Sequence, residues 1–505
     1  MNVRRHIAAA ARACRRAWRR IPRAGRVCFA IAFVNVAVWS VIIPPFEVPD
    51  EISHFAYAQY LAETGQAPPQ GPVAQYSQQE NAALQATAFY SVYGTVAARG
   101  VFTVPEDKSL HAFLAANPNP LGAGGATPAT NQPPLYYALE AVPYWLSPSN
   151  NILTRLAFMR LLSALMAAGT VLAVFMFLRE LMPRTPWAWT VGALMVAFQP
   201  TFAFIGAGVQ GDNLLYLGSA LTFFALARAW RRGLSARRSA AIGGALALGM
   251  LAKLTFLALV PGAGLALLVL AWRARPAGRV AVLRMLGIAV AVVAAPVLLY
   301  ALLNVTVWHR GSLFAGGLAA ATASRGSGPS AITWRATLDY TWELYLPRLW
   351  FMNHTYFRTY YPLWQIWLDG SIGHFGWLNY TFPAWVYTDM RYLVYGLAAF
   401  AAIGLVRVRA AIRGLAPLFA CFAVMALGLL GIIGYLGIRY QATTGDLFAQ
   451  ARYLFPLLVF YALGIVLATK ALPRRWAPVL GGLLVVLAMA HGLFAETLTI
   501  TRYYG

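Results

Sequence analysis

The chain has 505 residues, of which 60% are hydrophobic and only 11% are charged, and its mean hydropathy is +0.59. Soluble proteins carry about 25% charged residues, so this composition excludes an ordinary soluble protein. The apolar residues form blocks long enough to cross a hydrocarbon core of about 30 Å. The sequence therefore predicts one all-α polytopic membrane domain over residues 1–505, with about eleven transmembrane helices.

The formal net charge of +24 is concentrated between predicted helices. Short segments hold 26 of the 40 Lys and Arg residues but only one acid, Glu180: 1–26, 179–187, 228–239, 273–284, 407–414 and 470–475. This is the positive-inside pattern of membrane proteins, so we expect these segments to face cytoplasmic anionic lipid headgroups. The same placement argues against nucleic acid as a partner.

The first apolar run covers residues 27–45, which at 1.5 Å per residue span about 28 Å. It is longer than the apolar part of a signal peptide, and Pro44-Pro45-Phe46 stands where a small-residue cleavage site would be needed. We expect an uncleaved first helix with a cytoplasmic N-terminus. The later predicted helices are 157–178, 187–206, 213–229, 239–254, 256–272, 284–305, 387–406, 415–437, 453–469 and 477–497.

Two long loops, 46–156 and 306–386, are predicted on the face opposite the basic segments. Apolar residues at helical spacing from Ile52 predict an amphipathic helix along the membrane surface. The apolar segment 133–146 is too short and too interrupted by proline to span, so we expect a second interfacial segment there. The three cysteines and the histidines lack metal-ligand spacing, so we expect no obligate metal or other cofactor.

Two adjacent carboxylates follow the first helix. The segment Glu47-Val48-Pro49-Asp50-Glu51 places Asp50 and Glu51 at the membrane boundary, where carboxylates are costly unless they face a cavity or a partner. We expect raised pKa values there, which would suit a general base. A polar helix end with solvated acids explains the same residues, and the spacing leaves both interpretations open.

An Asp-Glu pair just outside the first helix, followed by a surface helix, resembles the GT-C superfamily of membrane glycosyltransferases. Three further segments resemble that group in the same order: Asn131-Gln132-Pro133-Pro134-Leu135-Tyr136-Tyr137, Arg160-Leu161-Leu162-Ser163-Ala164-Leu165 and Leu251-Ala252-Lys253-Leu254-Thr255. The resemblance implies a polyprenyl-phosphate sugar as donor. It also implies Asp50 as the catalytic base, with Glu51 orienting it or binding the acceptor.

A closer resemblance, from Val41 to about Pro456, is to a bacterial family of polytopic membrane proteins of unassigned function. The segments that carry it are Pro49-Asp50-Glu51-x-x-His54-Phe55, Gly373-x-Phe375-Gly376-Trp377 and Gln450-x-Arg452-Tyr453-x-x-Pro456. One departure from the GT-C pattern is Ala252, which stands where Thr often precedes the lysine, and this bears on the role of Lys253.

Such a transfer needs a carboxylate base and a cation for the leaving phosphate. Arginine matches phosphate oxygens well, so we predict Arg452 as donor-phosphate ligand, with Arg160 and Lys253 as further candidates. An interfacial anchor also explains Arg452, a nearby acid partner explains Arg160, and snorkelling explains Lys253.

Predicted substrate-binding residues lie in the same segments: His54, Tyr137, Asp212, Gln450, Tyr453 and Trp377. For Asp212, which follows a turn before the fourth helix, the alternative is a helix cap.

The leading hypothesis is an inverting glycosyltransferase on the extracytoplasmic face of a bacterial cytoplasmic (inner) membrane. Its partners would be membrane lipids, a polyprenyl-phosphate sugar, and a glycan, glycolipid or protein acceptor. A transporter or flippase of lipid-linked saccharide is an alternative, although the acids gather on one face and no halves repeat. The third hypothesis is a non-enzymatic scaffold, or a polymerase- or ligase-like component, of a surface-polymer pathway.

Overall fold

The structure is a computed structural model that describes residues 15–16, 18–69, 75–95, 98–99, 102–122, 127–310, 332–352, 363–445 and 447–505. The first ten helices that lie wholly within the described residues are α1 Arg23–Ile42, α2 Glu51–Thr64, α3 Gln78–Ala86, α4 Phe89–Gly94, α5 Val104–Ala115, α6 Thr127–Thr130, α7 Leu135–Leu146, α8 Ile152–Leu181, α9 Pro186–Ala197 and α10 Pro200–Gly206.

The remaining α-helices are α11 Asp212–Arg232, α12 Ala236–Ala252, α13 Val260–Arg273, α14 Arg279–Thr306, α15 Trp334–Tyr345, α16 Leu363–Gly373, α17 Ala384–Ile412, α18 Ala416–Thr444, α19 Leu458–Thr469 and α20 Ala477–Tyr504. Short 3₁₀ segments cover Leu254–Leu259, Arg275–Ala277, Arg413–Leu415 and Ala451–Leu457. The nearly all-helical prediction is therefore confirmed.

Among the described residues, seven helical stretches are long and apolar enough to cross a membrane, or up to eight if one bent pair is a single span. The seven are Arg23–Ile42, Ile152–Leu181, Leu254–Arg273, Arg279–Thr306, Ala384–Ala442, Ala451–Thr469 and Ala477–Tyr504. The count of eleven and the orientation stay predictions, although each predicted span overlaps a helix. Most of the first basic segment, residues 1–14 and 17, lies outside the described residues.

The predicted span 187–206 is broken into α9 and α10, which are bent by 64°. The break has a local cause, since Pro200 starts α10 and proline cannot donate the backbone hydrogen bond that would continue α9. The side chain of Gln199 caps α10 by accepting a hydrogen bond from the Phe202 backbone N–H. This bend carries the chain toward the first residues of α11.

The predicted surface helix after the first span is instead buried. In α2 every side chain from Ser53 to Gln59 is buried, so the helix has no membrane-facing stripe. It packs on α7, where the rings of Tyr57 and Tyr137 stack with centroids 3.7 Å apart. The predicted interfacial segment 133–146 corresponds to α7, which buries one face and leaves Trp145 and Leu146 exposed.

The second loop contains a strand pair that the sequence did not predict. Strands β1 His374–Phe375 and β2 Tyr380–Thr381 form an antiparallel hairpin. Its turn uses Gly376 at φ +58, a conformation that glycine adopts without steric cost. The ring of Phe375 stacks on Trp39 of α1 with centroids 5.6 Å apart, which fixes this loop against the first helix.

Candidate functional site

The connection between α1 and α2 sets the position of the two adjacent carboxylates. Asp50 lies just before α2 and adopts a left-handed backbone at φ +64. Aspartate tolerates this conformation better than most residues because its short polar side chain can bond locally. Glu51 is the first residue of α2, so the two carboxylates point in different directions.

Glu51 is fully buried and forms a two-pronged ion pair with Arg160 of α8. Arg160 Nε donates to Oε1 at 2.8 Å and Nη2 donates to Oε2 at 2.5 Å. The Val209 backbone N–H donates to the same Oε1 at 2.8 Å. Arg160 also donates to the carbonyls of Ser40, Ile43 and Pro44 at the end of α1. This set of bonds ties α1, α2 and α8 together.

These contacts define the surroundings of two predicted site residues. The carboxylate of Glu51 is enclosed by donors and has no exposed surface, so it offers no oxygen to an acceptor. The guanidinium of Arg160 is bound to Glu51 and to backbone carbonyls, as the pairing alternative predicted. In this structure Glu51 and Arg160 hold neighbouring elements together, and their predicted catalytic and phosphate-binding roles stay predictions.

Asp50, Asp212, Lys253 and Arg452 form one group, called here the carboxylate–cation cluster. Arg452 Nη2 donates to Asp50 Oδ2 at 2.6 Å, and its Nη1 lies 3.9 Å from Asp212 Oδ2. Lys253 Nζ donates to Asp212 Oδ1 at 2.6 Å. The four residues come from four separated parts of the chain, so only the tertiary structure brings them together.

The cluster is buried except at one corner. The side chain of Asp50 is 30% exposed, whereas those of Arg452 and Asp212 are 4% and 2% exposed. Asp50 Oδ1 has no hydrogen bond among the described residues. Asp212 Oδ2 and Arg452 Nε are also buried without a hydrogen-bond partner in that part of the chain. Buried polar atoms normally have hydrogen-bond partners, so these atoms retain hydrogen-bonding capacity for a ligand or a water molecule.

The pKa of Asp50 lies below its ordinary value, which corrects the expectation of a raised one. Burial acts to raise the pKa, but the charge and hydrogen bond of Arg452, with the charge of Lys253, outweigh burial and lower it. The carboxylate is therefore ionised at neutral pH. Its strength as a base depends on whether Arg452 stays bound to it.

The turn between α10 and α11 places Asp212. The Gln210 side chain donates to the Pro49 carbonyl, and the Gln210 backbone N–H donates to the Tyr136 hydroxyl at 2.6 Å. Asp212 is the first residue of α11, and its side chain makes no capping hydrogen bond. The capping alternative is therefore wrong for Asp212, because its carboxylate is turned to Lys253. Lys253 is likewise paired, with its side chain only 15% exposed, and does not snorkel.

His54 and Tyr137 flank the cluster on its α2 and α7 side. A hydrogen bond of 2.9 Å joins His54 Nδ1 and the Tyr137 hydroxyl. Burial, with the nearby Lys253 charge, lowers the pKa of His54 to about 3, so the imidazole is neutral. Both side chains are buried, and they support the wall of the site.

Of the remaining predicted residues, Tyr453 and Gln450 lie close to Arg452 in the chain, whereas Trp377 lies away from the cluster. Tyr453 follows Arg452, whose guanidinium lies 5.5 Å from the ring centroid. Gln450 is half-buried and precedes the same 3₁₀ segment. Trp377 packs edge-on against Tyr93, with ring centroids 4.8 Å apart. That contact places Trp377 against the first loop, with no contact to the cluster among those described.

One protein family matches the part of the chain that contains the carboxylate–cation cluster. Residues 33–461 match the profile of a family described as "Predicted membrane protein (DUF2142)". The chain belongs to this family. The match includes α2, the carboxylate–cation cluster and most of the membrane helices. No curated protein and no solved structure shows significant similarity to the chain.

The sequence did not lead us to predict a role for one buried acid, Glu140. Glu140 of α7 lies at the end of a directed chain of hydrogen bonds. The Gln210 N–H donates to the Tyr136 hydroxyl, Tyr136 lies 2.8 Å from the Ser163 hydroxyl, and Ser163 donates to Glu140 Oε1 at 2.9 Å. Burial raises the pKa of Glu140 to about 8. The sequence signal that could have identified Glu140 is its position, one helical turn after Tyr136 in an apolar segment where acids are rare.

Glu47, which the sequence analysis named without giving it a role, connects the site to α20. The Tyr503 hydroxyl of α20 donates to Glu47 Oε2 at 3.2 Å. The neighbouring Arg502 donates to the Thr95 and Ala98 carbonyls of the first loop. Burial raises the pKa of Glu47 from 4.5 to about 7, although Tyr503 and Arg502 act to lower it.

We expect Glu47→Gln to flatten the pH dependence of stability. The folded state holds a proton on Glu47 between pH 4.5 and about 7, where the unfolded chain has lost it. The associated stability is therefore complete below pH 4.5 and is lost as the pH rises through 7. At about 1.4 kcal/mol per pKa unit, the loss is about 3 kcal/mol. Thermal unfolding in detergent from pH 4.5 to 7.5 measures it.

The matched control is Asp389→Asn, which removes an exposed carboxylate. It is expected to follow the wild-type curve. A Glu47→Gln curve parallel to that of the wild type would show that Glu47 does not carry this proton.

Proposed function

We propose that the protein is an inverting glycosyltransferase of the GT-C type. It moves a sugar from a polyprenyl-phosphate donor to a cell-envelope glycan, glycolipid or protein acceptor on the extracytoplasmic face of a bacterial inner membrane. One observation carries the proposal: a partly exposed Asp50 shares Arg452 with a buried Asp212–Lys253 pair. A carboxylate beside two cations matches the needs of sugar transfer from a phosphate.

Asp50 is the base in this proposal. An acceptor hydroxyl oxygen attacks the anomeric carbon, and the bond from that carbon to the phosphate oxygen breaks. The hydroxyl proton passes to Asp50 Oδ1, and the phosphate leaves with the bonding electron pair as polyprenyl phosphate. Asp50 is chosen over Glu51 because part of its side chain is exposed, whereas Glu51 is enclosed.

Arg452 and Lys253 stabilise the leaving phosphate. Donor phosphate oxygens compete with Asp50 for the guanidinium of Arg452, whose Nε is buried without a hydrogen-bond partner among the described residues. When Arg452 turns toward the phosphate, Asp50 loses the partner that lowers its pKa. Donor binding thus strengthens the base. Gln450 and Tyr453 lie beside Arg452 in the chain, where they line the donor side.

The decisive experiment is a transfer assay on purified protein in detergent with a panel of short-chain polyprenyl-phosphate pentoses and hexoses. We expect a covalent product with the wild type and none with the double variant Asp50→Asn/Asp212→Asn. Mass spectrometry of the acceptor fraction identifies the product. Absence of transfer from every donor, with a full range of envelope acceptors, would overturn the proposal.

The 64° break between α9 and α10 favours transport of lipid-linked saccharide as a second candidate function. Interrupted helices are typical of transporter sites. Sealed vesicles distinguish the candidates, because a transporter or flippase moves the labelled lipid-linked sugar without forming a new glycosidic bond. Transfer of a whole oligosaccharide would indicate a polymerase- or ligase-like enzyme.

A further inference from the structure

A groove lies between α11 and α12, at the end of this helix pair opposite the carboxylate–cation cluster. It has a volume of about 570 Å³. Its apolar wall is formed by Leu221 and Phe224 of α11 and by Ala241, Ala245 and Leu248 of α12. We call this space the α11–α12 groove. None of the residues that line it belongs to the proposed active site.

The two helices are in close contact near one end of the groove. A Cβ added to Gly218 of α11 would lie 2.8 Å from Gly249 Cα of α12, so the backbones are in contact there. At Gly244 an added Cβ would meet only Val292 of α14, at 4.0 Å. Glycines bring the two helices together near the proposed active site, and Gly244 lines the groove further along α12.

The open end of the groove carries three arginines, Arg228, Arg237 and Arg238, with Ser235 beside them. Glu180 is the nearest acid, and it lies 3.1 Å from Arg232 but 3.9 Å from Arg228. Arg238 Nε is buried and has no hydrogen-bond partner among the described residues. The open end thus has a surplus of positive charge that the described part of the chain does not neutralise.

The positive charge at the open end and the length of the apolar wall together indicate the chemical class of the ligand. The wall extends from Arg228 to Leu221, a distance of seven residues or about 10 Å along α11. A small soluble anion would neutralise the arginines but leave the apolar wall empty. An anionic phospholipid fills both, with its phosphate at the arginines and the first part of an acyl chain along the wall.

We propose that the α11–α12 groove is a binding site for an anionic phospholipid of the cytoplasmic leaflet. Arg228, Arg237 and Arg238 bind the headgroup phosphate. Leu221, Phe224 and Leu248 contact the acyl chain. The site is independent of the proposed transferase activity, because none of its lining residues belongs to the carboxylate–cation cluster.

The test measures lipid binding to delipidated full-length protein by native mass spectrometry. The probes are dioleoylphosphatidylglycerol, dioleoylphosphatidylcholine and glycerol phosphate. The variant Arg237→Gln/Arg238→Gln is compared with Arg474→Gln/Arg475→Gln, which removes two exposed arginines from another basic segment. We expect phosphatidylglycerol affinity to fall about 10- to 30-fold in the first variant, and less than about twofold in the second.

A third variant, Ala241→Trp, fills the groove without changing its charge and is expected to weaken phosphatidylglycerol binding as well. It keeps the proposal testable if the arginine variant fails to fold. Equal affinities of the two arginine pairs would overturn the proposal. Glycerol phosphate binding as tightly as the lipid would also overturn it, because the groove would then hold a soluble anion.

Discussion

Asp50→Asn is expected to reduce the rate of sugar transfer by about 10²–10⁴-fold, the usual contribution of a general base. The substitution removes the proton acceptor but little else. Asparagine adopts the left-handed backbone of residue 50 as readily as aspartate, and its amide oxygen can still accept from Arg452. The measurement is kcat/KM with the donor that gives product, together with thermal unfolding to show that the fold is retained.

Asp212→Asn is the matched control, because it removes the second carboxylate of the same cluster. Asp212 is buried against Lys253 and turned away from the exposed corner. We expect it to alter the KM for the donor, since it sets the charge beside Arg452, and to leave kcat within about tenfold. An active Asp50→Asn beside an inactive Asp212→Asn would transfer the role of base to Asp212.

Arg160→Met is expected to destabilise the protein by about 3–5 kcal/mol, because it leaves the carboxylate of Glu51 buried without its partner. It also removes the donors that hold the carbonyls of Ile43 and Pro44 at the end of α1. The expected result is a clear loss of thermal stability in detergent and a low yield of folded protein.

The double variant Arg160→Met/Glu51→Leu distinguishes a structural role of Arg160 from a role in binding the donor phosphate. Replacing both members of a buried ion pair by apolar residues removes the uncompensated charge, so we expect much of the stability to return. Transfer activity per folded molecule should return with it. A stable Arg160→Met that no longer binds donor would instead show that Arg160 holds the phosphate.

Hydropathy and charge patterning determine that the chain is a membrane protein and where its helices lie along the sequence. Apolar runs such as 27–45 and 477–497 predict α1 and α20 because a membrane helix needs about 20 apolar residues in one continuous segment. This signal is local, so it can be found without knowing which helices touch. Asp50 was also identified from the sequence, because an acid next to an apolar span is costly and rarely incidental.

The tertiary structure decided which charges neutralise each other. Asp50 and Arg452 are 402 residues apart, and Glu51 and Arg160 are 109 apart, so no spacing rule connects them. It also buried α2, for which the spacing of the apolar residues predicts a surface helix, by packing α7 against it. The reason is physical, since pKa values and burial depend on distances through space. The sequence determines where the helices run, and only their packing determines that Asp50 is partly exposed and Glu51 is not.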